Sequence, residues 1–318
     1  MTTVNPSSPS SPSSPSSPSN PLSTSIPESP LNTSNPLNPS TPASPLNPSN
    51  PSHPSHPSHP SNPGEPARTP HAPAPWAAVL RAETRLFLRE PGSLFWILGF
   101  PTLLLTVLGL IPSFREPEDA LGGRRTIDVY VPVAVLLAMI MAGLQAMPPV
   151  LTGYRERGIL RRMSTTPVRP SALLAAQMLL HGAAALGAAA LVMAVGRAAF
   201  GVRLPRQPLG YALALLLATA SVLAVGALLC ALSRGAKASA AVGTVLSLAT
   251  MFTAGVWIPV QAMPDTLRHI VQVTPFGAAS QALDRAASGG WPGWIHLGAV
   301  ALWTAAAAVS ATRLFRWE

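Results

Sequence analysis

The sequence predicts an all-α integral membrane protein with six transmembrane helices, an amphipathic interfacial helix before them and a disordered N-terminal tail. Three observations predict it. Only 10% of the 318 residues are charged and 48% are hydrophobic, whereas a soluble domain carries about 25% charged residues. The apolar residues gather into six runs of about 18–25 residues, and about 20 helical residues cross a bilayer core. The arginines cluster at the ends of those runs, at the depth of lipid head groups.

Residues 1–74 are a different polymer. "SSPSSPSSPS" gives way to "SNPSHPSHPSHP", a Pro-Ser-Asn tract with a three-residue beat. Such a tract cannot bury enough apolar surface to offset its ordering entropy, so it is expected to be disordered with polyproline II character. It lacks the basic start and apolar core of a signal peptide, which places it in the cytoplasm as an uncleaved tail. His53, His56 and His59 follow the repeat spacing, which favours repeat expansion over a metal tract.

"WAAVLRAETRLFLREPGS" comes next. Trp76, Val79, Leu80, Leu86 and Phe87 share a broad helical face, and Arg81, Arg85 and Arg89 lie on another. That pattern suits a helix lying in the membrane interface. Pro91 and Gly92 then break it. The six runs follow: Leu94–Ile111, Val129–Leu151, Ala172–Val195, Leu209–Leu232, Ala238–Val260 and Trp294–Ala311. With the N-terminus inside, the cytoplasmic segments hold 13 Lys and Arg residues and the outer loops 8. That bias favours both termini in the cytoplasm. Arg197, Arg203 and Arg206 are the awkward basic residues on the outer side.

Several chemistries are missing from the chain. The net charge of +9 comes almost entirely from arginine, but the basic residues flank apolar runs rather than line a soluble face, so nucleic-acid binding is not expected. Cys230 is the only cysteine, and no H-E-x-x-H occurs, so no metal site is expected. The only lysine, Lys237, follows Ala236 where a phosphate-binding loop needs glycine. No cofactor is therefore expected on this chain, and it is not expected to be an enzyme. The spans carry almost no ionisable groups; His181, four residues after Gln177, is the main exception. Gln177 and His181 are candidates for substrate contact or, more commonly, for interhelical hydrogen bonding. The small residues of "HGAAALGAAALVMAVG" allow close helix approach.

Between the second and third runs lies "YRERGILRRMSTTPVRP", Tyr154–Pro170. Ile159, Leu160 and Met163 cluster on one side of a helix, Arg157 and Arg161 on another, and Pro167 and Pro170 close it. An anchor for lipid phosphates explains the arginines, but not Glu156, Gly158 or the Thr-Thr-Pro close. The sharper reading is a docking knob for a cytoplasmic partner, since a membrane chain with no motor and no ion-coupling charges needs an external energy source.

This stretch resembles the signature loop of ABC-2 type transporter permeases, the membrane halves of certain ATP-binding-cassette exporters. "LRAETRLFLREPGSLFWILGFPTLLLTVLG" resembles their amphipathic helix and first span, and "GVWIPVQAMPDTLRHIVQVTPFGAASQAL" their extracellular segment between spans five and six, which re-enters the membrane as short helices. The resemblance covers residues 76–318. It implies a permease that dimerises, with itself or a related permease, and binds a separate cytoplasmic ATPase, through which ATP acts. It also implies an ATPase-coupling interface at Tyr154, Arg155, Glu156, Arg157, Gly158, Leu160, Arg161, Arg162, Thr166 and Pro167, with Glu156–Pro167 as the coupling helix. Arg81, Glu83, Arg85 and Arg89 on the interfacial helix would meet the same subunit. Within the family the chain looks most like the drug-export branch, including daunorubicin-resistance-type permeases, which implies export of a small amphipathic drug or natural product. Polysaccharide or lipid-linked cargo stays open, as does an ion-coupled secondary transporter, which the charge-poor spans disfavour. Alanine- and arginine-rich usage with one lysine suits the plasma membrane of a high-GC bacterium.

Overall fold

Lipid offers the backbone no hydrogen-bond partners, so apolar runs of this length satisfy themselves as helices. The computed structural model describes residues 75–163 and 170–314. Six of its helices are long and apolar enough to cross a membrane. The tail expected over residues 1–74 lies outside the described residues.

The amphipathic helix α1 spans Pro75–Leu88. The spans are α2 (Pro91–Leu110), α3 (Thr126–Glu156), α5 (Pro170–Phe200), α6 (Pro208–Leu232), α7 (Ala236–Ala254) and α10 (Trp294–Leu314). A short helix α4 (Ile159–Met163) follows α3. Between α7 and α10 lie α8 (Asp265–Gln272) and α9 (Pro275–Ser288), the short pair expected there. α9 does not stay at the surface: Ala278, Ala282 and Leu283 are buried, and it packs on α3, α6, α7 and α10. The loop between α2 and α3 adds one feature that an all-α reading omits, a two-residue hairpin. Its strands β1 (Pro117–Glu118) and β2 (Arg124–Arg125) pair antiparallel.

α3 is the axis of the bundle. Its side chains from Val133 to Leu144 are buried, and it touches α2, α5, α6, α7 and α9. Two neighbours approach it at backbone contact. A Cβ on Gly226 of α6 would lie 2.1 Å from the Gly143 carbonyl oxygen, and one on Gly243 of α7 would lie 2.6 Å from that of Leu144. Only glycine fits at such separations, which is how membrane helices gain packing energy without a hydrophobic drive.

At that level α3 is not a plain α-helix. Met141–Ala146 forms a π-helical turn, and Phe95–Gly99 of α2 forms another. Each turn runs into prolines, Pro101 in α2 and Pro148–Pro149 in α3. A proline lacks the N–H and its ring clashes with the carbonyl four residues back; a widened turn before it relieves both.

Glycine fixes two boundaries where the apolar pattern misleads. The fifth run reads apolar to Val260, but Gly255 takes φ 88° and α7 ends at Ala254. Gly158 takes φ 66° and separates α3 from α4. The helix expected over Glu156–Pro167 is therefore split: Glu156 closes α3, α4 is five residues long, and Thr166 and Pro167 lie outside the described residues.

The hairpin and α4 lie at opposite ends of α3. Single cysteines at Arg161→Cys and Glu118→Cys, in a Cys230→Ser background, should be labelled by a membrane-impermeant maleimide from opposite sides of the membrane. Labelling from the same side would contradict the six-span arrangement.

Candidate functional site

The surface around α4 is built on a buried acid. On α1, Val79, Leu80, Glu83 and Phe87 follow helical spacing and turn inward, while Arg81, Arg85 and Arg89 are exposed. Glu83 thus departs from its expected outward place: it is 8% exposed. Its Oε2 accepts a hydrogen bond from the Tyr154 hydroxyl at 2.9 Å and another from the Gln177 Nε2 at 2.6 Å. One carboxylate oxygen therefore joins α1, the end of α3 and the start of α5. Next along α5, the His181 Nδ1 lies 2.9 Å from the Gln177 carbonyl oxygen, and the Phe87 ring meets the imidazole edge-on at 5.2 Å. Gln177 and His181 are 3% and 1% exposed, inside this network.

Arg155 also turns inward. Its guanidinium donates to the carbonyls of Cys230, in the last turn of α6, and of Ser233, just past its end. A cation there satisfies those groups and the negative end of the helix dipole. Arg157 donates to the Gly153 carbonyl at 3.1 Å and stacks over the Tyr154 ring at 5.4 Å. Glu156 is exposed, with its carboxylate over Gly235 in the turn between α6 and α7, where a Cβ would clash with it. In α4, Leu160 is 4% exposed, while Arg161 and Arg162 face outward. Of the ten residues expected to form one outer surface, the eight that are described divide. Tyr154, Arg155 and Leu160 anchor the knob, Gly158 turns the chain, and Glu156, Arg157, Arg161 and Arg162 form the exposed face.

Deeper in the membrane, the two π-turns stand side by side and open a cavity of about 560 Å³ with α7. Its walls include Trp96 and Phe100 of α2, Met141 and Gln145 of α3, Met251 of α7, and Trp257 just beyond it. Aromatic and thioether side chains with one amide make a site for an apolar body bearing a polar group. Neither Gln177 nor His181 lines it. The cue that sequence reading passed over is proline inside spans one and two, which forces the π-turns.

A family model described as ABC-2 type transporter matches residues 75–285, more than half of the chain. The chain belongs to the ABC-2 type transporter family. A comparison with curated proteins returns no match. As an ABC-2 family member with six apolar helices, it is a multi-pass transport subunit and not itself the ATPase. Its family works with a cytoplasmic ATPase subunit.

Burial lifts the Glu83 carboxyl above its ordinary 4.5, against the pull of the Tyr154 and Gln177 donors. A raised acid binds its proton more tightly folded than unfolded. Its contribution to stability is fully present below pH 4.5 and is lost as pH rises through the folded value. Glu83→Gln keeps an acceptor oxygen and should flatten the dependence of melting temperature on pH above pH 4.5. Glu83→Ala strands two donors and should cost about 1–3 kcal/mol at neutral pH. Thermal melts of both variants in detergent, across that range, check the two outcomes.

Proposed function

We propose that this chain is the permease half of an ATP-binding-cassette exporter, moving a small amphipathic molecule of the drug or natural-product kind out of a bacterial cell. The observation that carries this reading is the cavity beside Trp96, Gln145 and Trp257, whose apolar walls and single amide match such a cargo. The paired π-turns make the walls adjustable, since such turns interrupt regular helix bonding where function needs it.

In this reading both termini lie in the cytoplasm, and two permeases, identical or related, assemble with two ATPase subunits. The exposed face of Glu156, Arg157, Arg161 and Arg162 docks into the ATPase. The arginines suit acidic patches and backbone carbonyls. Arg81 and Arg85 on α1, with Arg89 just past its end, extend the same basic surface. ATP-driven closure of the ATPases pushes on α4. The push passes through Tyr154 and Glu83 to α1 and α5, through Arg155 to α6, and along α3 to its π-turn at the cavity wall.

Glu156 separates docking from lipid anchoring. Reversing a charge at a partly desolvated interface costs about 2–5 kcal/mol, about 30-fold or more in affinity. Glu156→Arg should therefore abolish co-purification of the ATPase and substrate-stimulated ATP hydrolysis in reconstituted vesicles. A lipid anchor would behave in the opposite way, because added positive charge near anionic head groups strengthens binding. Unchanged co-purification and hydrolysis would reduce the arginines to anchors.

A further inference from the structure

At the end of the bundle opposite α4, the loops following α2 and α5, the start of α3 and the end of α9 surround a cavity of about 520 Å³. Its walls carry four arginines, Arg124, Arg125, Arg203 and Arg206, and two aspartates, Asp128 and Asp284. Two of the arginines are spoken for. Arg124 holds Asp284 through two bonds of 2.8 and 3.2 Å, and Gln261 donates to the same carboxylate at 2.9 Å. Arg125 holds Asp128 at 2.8 and 2.7 Å and also donates to the Phe200 and Gly201 carbonyls at the end of α5. These pairs are electrically neutral, and they pin the hairpin to α9 and α5 as a fixed frame.

Arg203 and Arg206 are the remainder. Among the described residues neither side chain has an ion pair or hydrogen-bond partner, and both are exposed. The frame is neutral and these two are not, so the cavity carries an excess of two positive charges. Positive charge on this side works against the proposed topology, so a topological role does not account for it.

A second observation points to a ligand. Below the cavity is a smaller void of about 20 Å³, which shares Asp128, Val202, Arg203 and Ala287 with it. That is room for one water-sized atom. Tyr211 lines this void at 4% exposure, and its hydroxyl has no partner. A buried hydroxyl left unbonded is destabilising, and such groups are nearly always satisfied by something.

Two free guanidinium forks make this a donor-rich, positively charged site, and the void that Tyr211 lines meets it at Arg203. Guanidinium matches the oxygens of a phosphate in paired bonds. We propose that Arg203 and Arg206, with Tyr211 beneath, bind a phosphate group, the chemistry shared by a phospholipid head group and a free phosphate. Leu204 on the same loop and Leu209 in the first turn of α6 are 59% and 77% exposed. They offer apolar surface where the chains of a lipid would lie, which favours the lipid source.

The test uses the full-length chain purified in neutral detergent, with dioleoylphosphatidylglycerol, inorganic phosphate and, as a chain-only control, dioleoylglycerol. Binding is read by titration and by retained lipid in native mass spectrometry. Arg203→Gln/Arg206→Gln should weaken phosphatidylglycerol binding about tenfold or more and leave dioleoylglycerol unaffected. Arg203→Lys/Arg206→Lys should retain much of the binding. Tyr211→Phe should weaken it without lowering the melting temperature. If only inorganic phosphate discriminates, the site stands and its ligand is a free phosphate. The proposal is overturned if the unmutated chain binds neither phosphate probe, or if the glutamine variant binds both as the unmutated chain does.

Discussion

One carboxylate oxygen sets the geometry of the cytoplasm-facing end of this bundle in the proposed orientation. Burying an acid is unfavourable unless donors meet it, and Glu83 finds its donors on two other helices, Tyr154 at 2.9 Å and Gln177 at 2.6 Å. α1 therefore cannot slide along the bundle without stranding both. The short helix α4 begins five residues after Tyr154, across the Gly158 turn, so the knob inherits this fixed frame. Arg155 supplies the second tie, to the end of α6. In the proposed reading this surface receives force, which needs such bracing; a flexible loop would absorb the displacement instead.

α3 connects the braced end to the cavity. Tyr154 lies in its last turn, and Met141–Ala146 lies about two to four turns away along the same helix. Gly143 is also where α6 makes its closest backbone approach, with α7 touching at the neighbouring residue. A π-turn has slack in its hydrogen bonding, whereas glycine contacts of this tightness have none. The combination sets an irregular turn against rigid packing, next to walls built of Trp96, Met141 and Trp257.

The six spans were legible because each requires a long apolar run, and their central residues stand where the sequence placed them. Their ends were less legible. Gly255 stops α7 inside an apolar run, and hydropathy carries no record of a left-handed backbone. Glu83 was hidden by its charge, which suggests an outward face, although its spacing between Val79 and Phe87 is that of an inward stripe. Arg155 was hidden likewise: its charge suits a partner or a lipid, and only the geometry reveals it bonding the carbonyls of α6. Pro101, Pro148 and Pro149 were visible cues to the π-turns, but their consequence depends on which helices stand beside them. The cavity that α7 closes against α2 and α3, and the partnership of Tyr154 with Glu83, belong to tertiary structure alone.

The central claim is that the Tyr154–Glu83 bond carries motion from the knob into the spans. Tyr154→Phe removes the hydroxyl and leaves the exposed docking face intact. The measurement is molecules transported per ATP hydrolysed, in vesicles containing the permease and its ATPase. The account predicts that the ATPase still binds and hydrolyses ATP while this ratio falls several-fold. An unchanged ratio, with the ATPase bound and active, would contradict it.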